Sequence, residues 1–282
     1  MNAVAGGGAG VACLPGADCV TSGACARDGR CLRGTEQLLR EAKHCAHLAA
    51  DRCGLRVREL RAIDELTAAA ELLRSVWRAT STDQVIHFGL LRALEQSGNY
   101  VAGAFAGDRL IGCCVAVFGA GYLHSHITGV DRRLQCKGIG FALKQHQRAW
   151  ALARGIAMVR WTFDPLVRRN AHFNLHKLGA TASEYLPDFY GPMDDGINTG
   201  DASDRLMADW QLTSARAVGA AHGACVDADE VVRGARVTTL LDRVDGKPLR
   251  RGYPAPGQRD GRVSPLAPPR VADAGPGRVL LV

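Results

Sequence analysis

The sequence predicts an α/β fold, a mixed central sheet with flanking helices, and three observations carry that prediction. Apolar residues switch repeatedly between a period of two and a period of about 3.6 over residues 55–212, in the order β-α-α-β-β-β-α-β-α-β-β. A strand, a glycine-bearing turn and a helix follow one another without a break across residues 122–153. Ala106-Gly107-Asp108-Arg109, set between two apolar runs, is a hairpin signal.

Taken in order, residues 55–60 alternate as an edge strand. Asp64 or Thr67 caps a helix with Leu66, Ala69, Ala70, Leu73, Val76 and Trp77 on its inner face, and a second helix covers 85–95. Residues 99–105 and 110–118 are the strands of the hairpin. Residues 122–130 have the Ile, Val, Thr and Tyr content of a buried strand. The helix 139–153 sets Ile139, Ala142, Leu143, His146, Ala149, Trp150 and Ala153 on one stripe. Gly155 ends it before another buried strand, 156–163. A helix over 169–178 closes at Gly179, and strands 180–190 and 205–212 complete the unit.

The flanks read differently. Residues 1–34 are rich in Gly, Ala and Cys, show no apolar periodicity and form a mobile, reduced tail. Cys13, Cys19, Cys25 and Cys31 recur every six residues, whereas structural zinc sites pair their ligands two to four residues apart, so no metal is expected. Thr35 caps a docking helix that ends at Gly54, with Leu38, Leu39, Ala42, Cys45, Ala46, Ala49 and Ala50 apolar and its partner open. Within the C-terminal extension, 213–282, an Ala-rich stretch suits a short helix and 237–241 a strand turning at Asp245-Gly246. Seven of the 11 prolines then fall between Pro248 and Pro276, a composition that cannot bury a core. Residues 278–282 form a strand that must pair with a sheet edge or stay loose.

Composition excludes several classes. A hydrophobic content of 47% with 22% charged residues fits a soluble globular protein, and no apolar run reaches the ~20 residues of a membrane span. Without a basic n-region and an apolar h-region, no secretory signal is read, and the expected location is cytoplasmic. The net charge of +7 suits anionic ligands and nucleic acid alike, but no zinc-finger spacing, zipper or aromatic RNA-binding signature supports the second.

The turn Gln135-Cys136-Lys137-Gly138-Ile139-Gly140 opens the helix at 139. Free backbone amides converge at such a helix start, the dipole favours negative charge, and glycines let a phosphate approach. Lys137, Arg132 and Arg133 add positive charge, so the implied ligand is a phosphorylated cofactor. Q-x-x-G-x-G after a strand resembles motif A of the GNAT superfamily, the acyl-coenzyme A-dependent N-acyltransferases. Ala171, Lys177, Leu178 and Gly179 resemble its motif B, and the order of elements is the GNAT order. The stretches WTFDPLVRRNAHFNLHKLGA (161–180) and FYGPMDDGINTGDASDRL (189–206) are similar to a branch known mainly as predicted acetyltransferases.

The resemblance implies acetyl-coenzyme A or another acyl-coenzyme A as donor. Gln135, Cys136, Lys137, Gly138, Ile139 and Gly140 would hold its pyrophosphate, and Thr128, Gly129 and Val130 its pantetheine arm. Asn170 and Asn174 are candidates for the pantetheine amides, or a helix cap and a solvent-facing residue. Where many members place a tyrosine that protonates the departing thiolate, this chain has Leu175.

Acyl transfer to an amine needs the amine neutral, the carbonyl polarised and the thiolate protonated. His124 and His126, on one face of their strand, and Asp164 before Pro165 are candidate bases; a core hydrogen bond and a turn cap are the alternatives. Tyr185 and Tyr190 are replacement acids, with Asp188, Asp194, Asp195 and Asp204 nearby. The loop 187–205, with five aspartates between glycines, either attracts an amine or closes its own turns. His126, Asp164 and Tyr190 lead the catalytic set. The expected function is acyl transfer from coenzyme A to a small-molecule amine. The alternatives are a GNAT-fold enzyme acting on groups held by an acyl carrier protein, including decarboxylation, and a non-catalytic coenzyme A-binding module. A homo-oligomer is compatible with the sequence.

Overall fold

The structure is a computed structural model that describes residues 29–134, 137–191, 203–224, 236–239, 241–244, 247–250 and 278–281. The Cys-rich start up to residue 28, most of the acidic loop and the Pro-rich segment therefore lie outside the described residues. One sheet holds seven strands: β1 (Arg56–Glu59), β2 (Tyr100–Ala106), β3 (Arg109–Phe118), β4 (Leu123–Val130), β5 (Met158–Phe163), β6 (Thr181–Leu186) and β7 (Arg205–Gln211). Their order is β1-β2-β3-β4-β5-β7-β6, and every neighbouring pair is antiparallel except β4 and β5.

Short connections account for the antiparallel part. Gly107, at φ +59°, turns β2 into β3 with Ala106 opposite Arg109. The parallel step from β4 to β5 needs a crossover, which α4 supplies. The helices are α1 (Gly29–Asp51), α2 (Ile63–Trp77), α3 (Phe88–Gln96), α4 (Ile139–Leu152), α5 (Arg168–Ala171) and α6 (Ala215–Ala221). Beyond them, β8 (Arg236–Thr239) pairs in parallel with β11 (Arg278–Leu281), and β9 (Leu241–Val244) pairs with β10 (Lys247–Arg250). The C-terminal strand thus finds a partner outside the main sheet.

Each sheet face has its own core. Leu66 and Leu73 of α2 and Leu91 of α3 pack against Val101, Phe105 and Val115. On the opposite face, Leu143 and Trp150 of α4 pack against Tyr100, Val159, Trp161 and Trp210. Several expected boundaries move. α2 begins at Ile63, and neither Asp64 nor Thr67 caps it; the Glu65 carboxylate reaches back to the Arg61 and Ala62 amides at 3.2 and 3.4 Å instead. The helix expected over 169–178 is four α-helical residues followed by a wider π-helical turn, His172–Lys177. Asn170 lies inside α5 and does not cap it.

The docking helix has a partner, α4. It starts at Gly29 rather than at Thr35 and lays Ala42 and Ala46 on Ala149, and Ala49 and Ala50 on Ala142. Across this seam Arg148 of α4, fully buried, meets the Glu41 carboxylate at 2.9 and 3.2 Å and donates to the Leu212 carbonyl at 3.0 Å. Burial raises the Glu41 pKa, but the bonds and charge of Arg148 outweigh it and hold the carboxyl below its usual value. Removing one partner of a buried pair leaves the other charge uncompensated. Glu41→Ala is therefore expected to cost about 3 kcal/mol in urea unfolding, and the double change Glu41→Leu with Arg148→Met to cost clearly less.

Candidate functional site

β4 and β5 are hydrogen-bonded neighbours over only two residue pairs, Leu123 with Val159 and His124 with Arg160. From Ser125 and Trp161 onward the strands part, leaving a wedge that opens toward the N-terminus of α4. The divergence coincides with a bulge. Ala116 of β3 faces Ser125 while Val115 faces Ile127, so His126 is the extra residue, and an extra residue bends and twists its strand. Past the bulge Ile127 packs on the α2 face, and a Cβ on Gly129 would come within 2.7 Å of Leu73 and 3.0 Å of Trp77. The strand thus lies flush on α2. Thr128 looks the other way, its Oγ1 3.1 Å from Cys114 Sγ.

At the wide end of the wedge α4 begins. Gly138 takes φ +84° as its N-cap, a conformation that side-chain-bearing residues adopt at a cost. A Cβ there would also sit 2.9 Å from Cys53 Sγ, and the Cys53 thiol donates to the Lys137 carbonyl at 3.1 Å. The Ala142 amide makes the first helical bond, to Gly138 O at 3.0 Å, so the amides of Ile139, Gly140 and Phe141 precede any helical acceptor. Gln135 and Cys136 lie outside the described residues. Arg133 is drawn away from the turn by Asp131, which also pairs with Arg109, while Arg132 and Lys137 stand exposed.

The candidate bases have different fates. The His124 and His126 rings lie side by side, 6.2 Å between centres. Burial holds both pKa values below the ordinary histidine value, and for His124 the neighbouring His126 and Lys144 add to it. His126 is exposed by surface area yet sits in enough surrounding protein to feel desolvation. Asp164 accepts from the Leu166 amide at 2.7 Å and serves the turn after β5.

Of the candidate acids, Tyr190 reaches β5, its hydroxyl 3.0 Å from Thr162 Oγ1. Tyr185 instead donates to Asp204, whose other oxygen receives the Asp188 amide at 3.0 Å. Asp188 in turn accepts from Ser203 Oγ at 3.1 Å, so the described part of the acidic loop closes on itself. Leu175 packs against the core and Asn174 is buried rather than solvent-facing. Gly179 has φ +72°, and a Cβ there would meet the Arg216 carbonyl at 2.7 Å.

One group was not singled out from the sequence. Lys144 of α4 is buried at the narrow end of the wedge, bonded to Ser125 Oγ at 2.7 Å and Gln147 Oε1 at 3.0 Å. The only hint is its place directly beside the sheet-facing stripe of α4, where lysine ordinarily snorkels to water.

The model of the acetyltransferase (GNAT) family matches residues 60–180. That segment is a GNAT acetyltransferase domain. Its class of enzyme is the acyltransferases. A search of the curated proteins returns no match. Solved structures similar to the chain include the ribosomal-protein-S18-alanine N-acetyltransferase of Escherichia coli, at 14% identity over 57% of this chain and 96% of that one, TM-score 0.48. The PaiA N-acetyltransferase of Thermoplasma acidophilum, in complex with coenzyme A, is similar at 19% identity over 55% and 97%, TM-score 0.44. An N-acetyltransferase of Staphylococcus aureus Mu50 is similar at 12% identity over 56% and 99%, TM-score 0.47. Among the described residues no helix is long and apolar enough to cross a membrane.

The geometry of the GNAT turn yields a stability prediction. Gly138→Ala must adopt a left-handed conformation and displace the Cys53 thiol, and is expected to lower the unfolding free energy by about 1–2 kcal/mol. A urea titration beside Gly140→Ala, whose new Cβ would make only an ordinary 3.7 Å contact with Phe173, separates the backbone term from helix-start effects.

Proposed function

We propose that the domain transfers an acetyl or other acyl group from acyl-coenzyme A to an amine of a small molecule. The observation that carries this reading is the unpaired inner edge of β4, running from the narrow end of the wedge to the free amides of α4. An extended pantetheine arm would complete that edge as a strand does, with Thr128, Gly129 and Val130 offering backbone groups. The pyrophosphate would meet the amides of Ile139, Gly140 and Phe141 with Lys137 at the rim. Asn174 and Asn170 stand on the segment bordering the wedge and remain candidates for the pantetheine amides.

For the chemistry, His126 is the preferred base and His124 its neighbour. A histidine held neutral near pH 7 can accept the amine's proton, directly or through a water. Asp164 is already committed to its turn and takes second place. Tyr190, anchored on Thr162 beside the wedge, is the phenol best placed to return a proton to sulfur. The exposed Phe189, Tyr190, Leu166 and Val167 give the mouth an apolar rim, which suits an acceptor with an apolar portion.

Two outcomes are expected. Coenzyme A or acetyl-coenzyme A at a hundredfold excess over its dissociation constant stabilises the fold by about 2.7 kcal/mol, read as a higher melting temperature. Gly138→Asp, which puts a carboxylate among the phosphate-binding amides, abolishes that shift. A persistent shift in a folded variant would falsify the anion-turn reading.

The second outcome concerns pH. Because burial lowers the His126 pKa, the base stays active on acidification until the pH falls below the ordinary value of 6.5. The acid limb of kcat/KM for thiol release should lie below that pH and vanish in His126→Ala. In linkage terms, the unfolded chain takes up this proton first, so the group weakens the fold only as pH drops below 6.5.

A further inference from the structure

Below the narrow end of the wedge, α4 places a positive charge for which the described residues offer no anion. The last paired residues are His124 and Arg160, so the first residues to part are Ser125 and Trp161. The Lys144 ammonium touches both, donating to Ser125 Oγ at 2.7 Å and lying 4.0 Å from the centre of the Trp161 ring. Its remaining contact is Gln147 Oε1 at 3.0 Å. The residue is 3% exposed.

The groups that face it are Cys114 from β3, Ser125 from β4, Trp161 from β5, Gln147 from α4, and His124 across the strand. None is a carboxylate. Burial alone lowers its pKa to about 8, with only Cys114 acting in the other direction. An ammonium taken out of water without a counter-ion is expensive, and perturbed groups of this kind gather where charge develops during a reaction.

The hydrogen bonds set a direction. Lys144 has only protons to give, so Ser125 Oγ accepts from it and the serine's own proton points elsewhere. The other side-chain contact of that hydroxyl is Cys114 Sγ, at the 4.0 Å limit of a sulfur contact. Ser125 therefore has a donor to spend at the point where β4 and β5 part.

We propose that Lys144 is a positioning residue whose charge, relayed through the Ser125 hydroxyl, stabilises the thiolate that leaves during acyl transfer. The inference rests on the coenzyme A reading above. An arm laid along β4 from Val130 to Ser125 spans about 16 Å at strand rise, which brings its sulfur to the narrow end. There the amine nitrogen bonds to the carbonyl carbon, the carbon–sulfur bond breaks, and the electron pair departs on sulfur. The surplus proton of the amine passes to the base, and Lys144 keeps its own proton throughout. A fixed positive charge lowers the basicity of the departing sulfur and so eases its departure. Leu175 leaves no phenol at the position from which many relatives protonate that sulfur, and the buried lysine meets part of the same need from below.

The experiment needs no acceptor. The ultraviolet absorbance of the coenzyme A thiolate is followed against pH in the saturated complex, and the complex with desulfo-coenzyme A is subtracted to cancel the protein's own thiols. In the wild type the bound thiol is expected to titrate about one unit or more below free coenzyme A. In Lys144→Met, which keeps the volume and removes the charge, it should return to the free value while desulfo-coenzyme A binds as before. Ser125→Ala, which leaves α4 and its lysine intact, should lose most of the shift and serves if the methionine variant does not fold. A bound thiol that titrates alike in the wild type and either folded variant overturns the inference and makes Lys144 a structural plug. Failure of the wild type to bind coenzyme A at all refutes the donor reading instead.

Discussion

Everything at the site depends on how little β4 and β5 are joined. Two residue pairs hold them, and those pairs lie at the start of β4. A parallel pair of full length would consume the backbone groups of both strands and leave no edge for a ligand. The bulge at His126 is the local device that ends the pairing, since an extra residue in β4 shifts its register with β3 by one and changes its course relative to β5. The flanking strands carry the load. β7 pairs with β5 along its whole length, from Met158 opposite Gln211 to Phe163 opposite Leu206, and so holds β5 from its far side. The wedge is a gap inside an otherwise continuous sheet.

The two buried cations of α4 show how differently one helix can house charge. Arg148 and Lys144 stand four residues apart. The first is matched by Glu41 with two hydrogen bonds and by a backbone carbonyl, and it fixes α1 on the helix. The second has a hydroxyl, an amide oxygen and an aromatic face, all neutral. A planar, permanently charged guanidinium suits a static ion pair, whereas an ammonium changes its pKa readily on burial. The matched and the unmatched cation are thus two different residue types on adjacent turns.

Most of the sheet was legible because its signals are local. Alternation marked the strands, Gly107 the hairpin, and the stripe from Ile139 to Trp150 the face of α4 on the core. The turn at Gly138 was legible for the same reason, since a left-handed residue before a helix start leaves a glycine in the sequence. The non-local facts were not. No pattern within 122–130 announces that His126 is a bulge, because the bulge is defined by the partner strand. Nothing near Arg133 in the sequence tells that it is held by Asp131, a carboxylate it shares with the distant Arg109. Lys144 carried no mark of burial, for its surroundings come from β3, β4 and β5 at once. The wider turn after Ala171 was hidden by a helical pattern that a π-turn shares over so short a span.

The elements around the wedge do not coincide with the stretch that the family match covers. Residues 60–180 include the wedge and the start of α4 but omit α1 and the sheet strands β1, β6 and β7. Yet α1 supplies the carboxylate that neutralises Arg148 and the alanine seam beneath it, and the chain just after α1 brings Cys53 against the turn at Gly138. β7 is an interior strand, flanked on both sides. A fragment cut at the limits of that match would expose a bare guanidinium and end the sheet at β5, with β7 and β6 both missing. The matched centre of the molecule is therefore not a unit that stands by itself. Its geometry is imposed by the segments on either side of it, whose sequences reveal little of that duty.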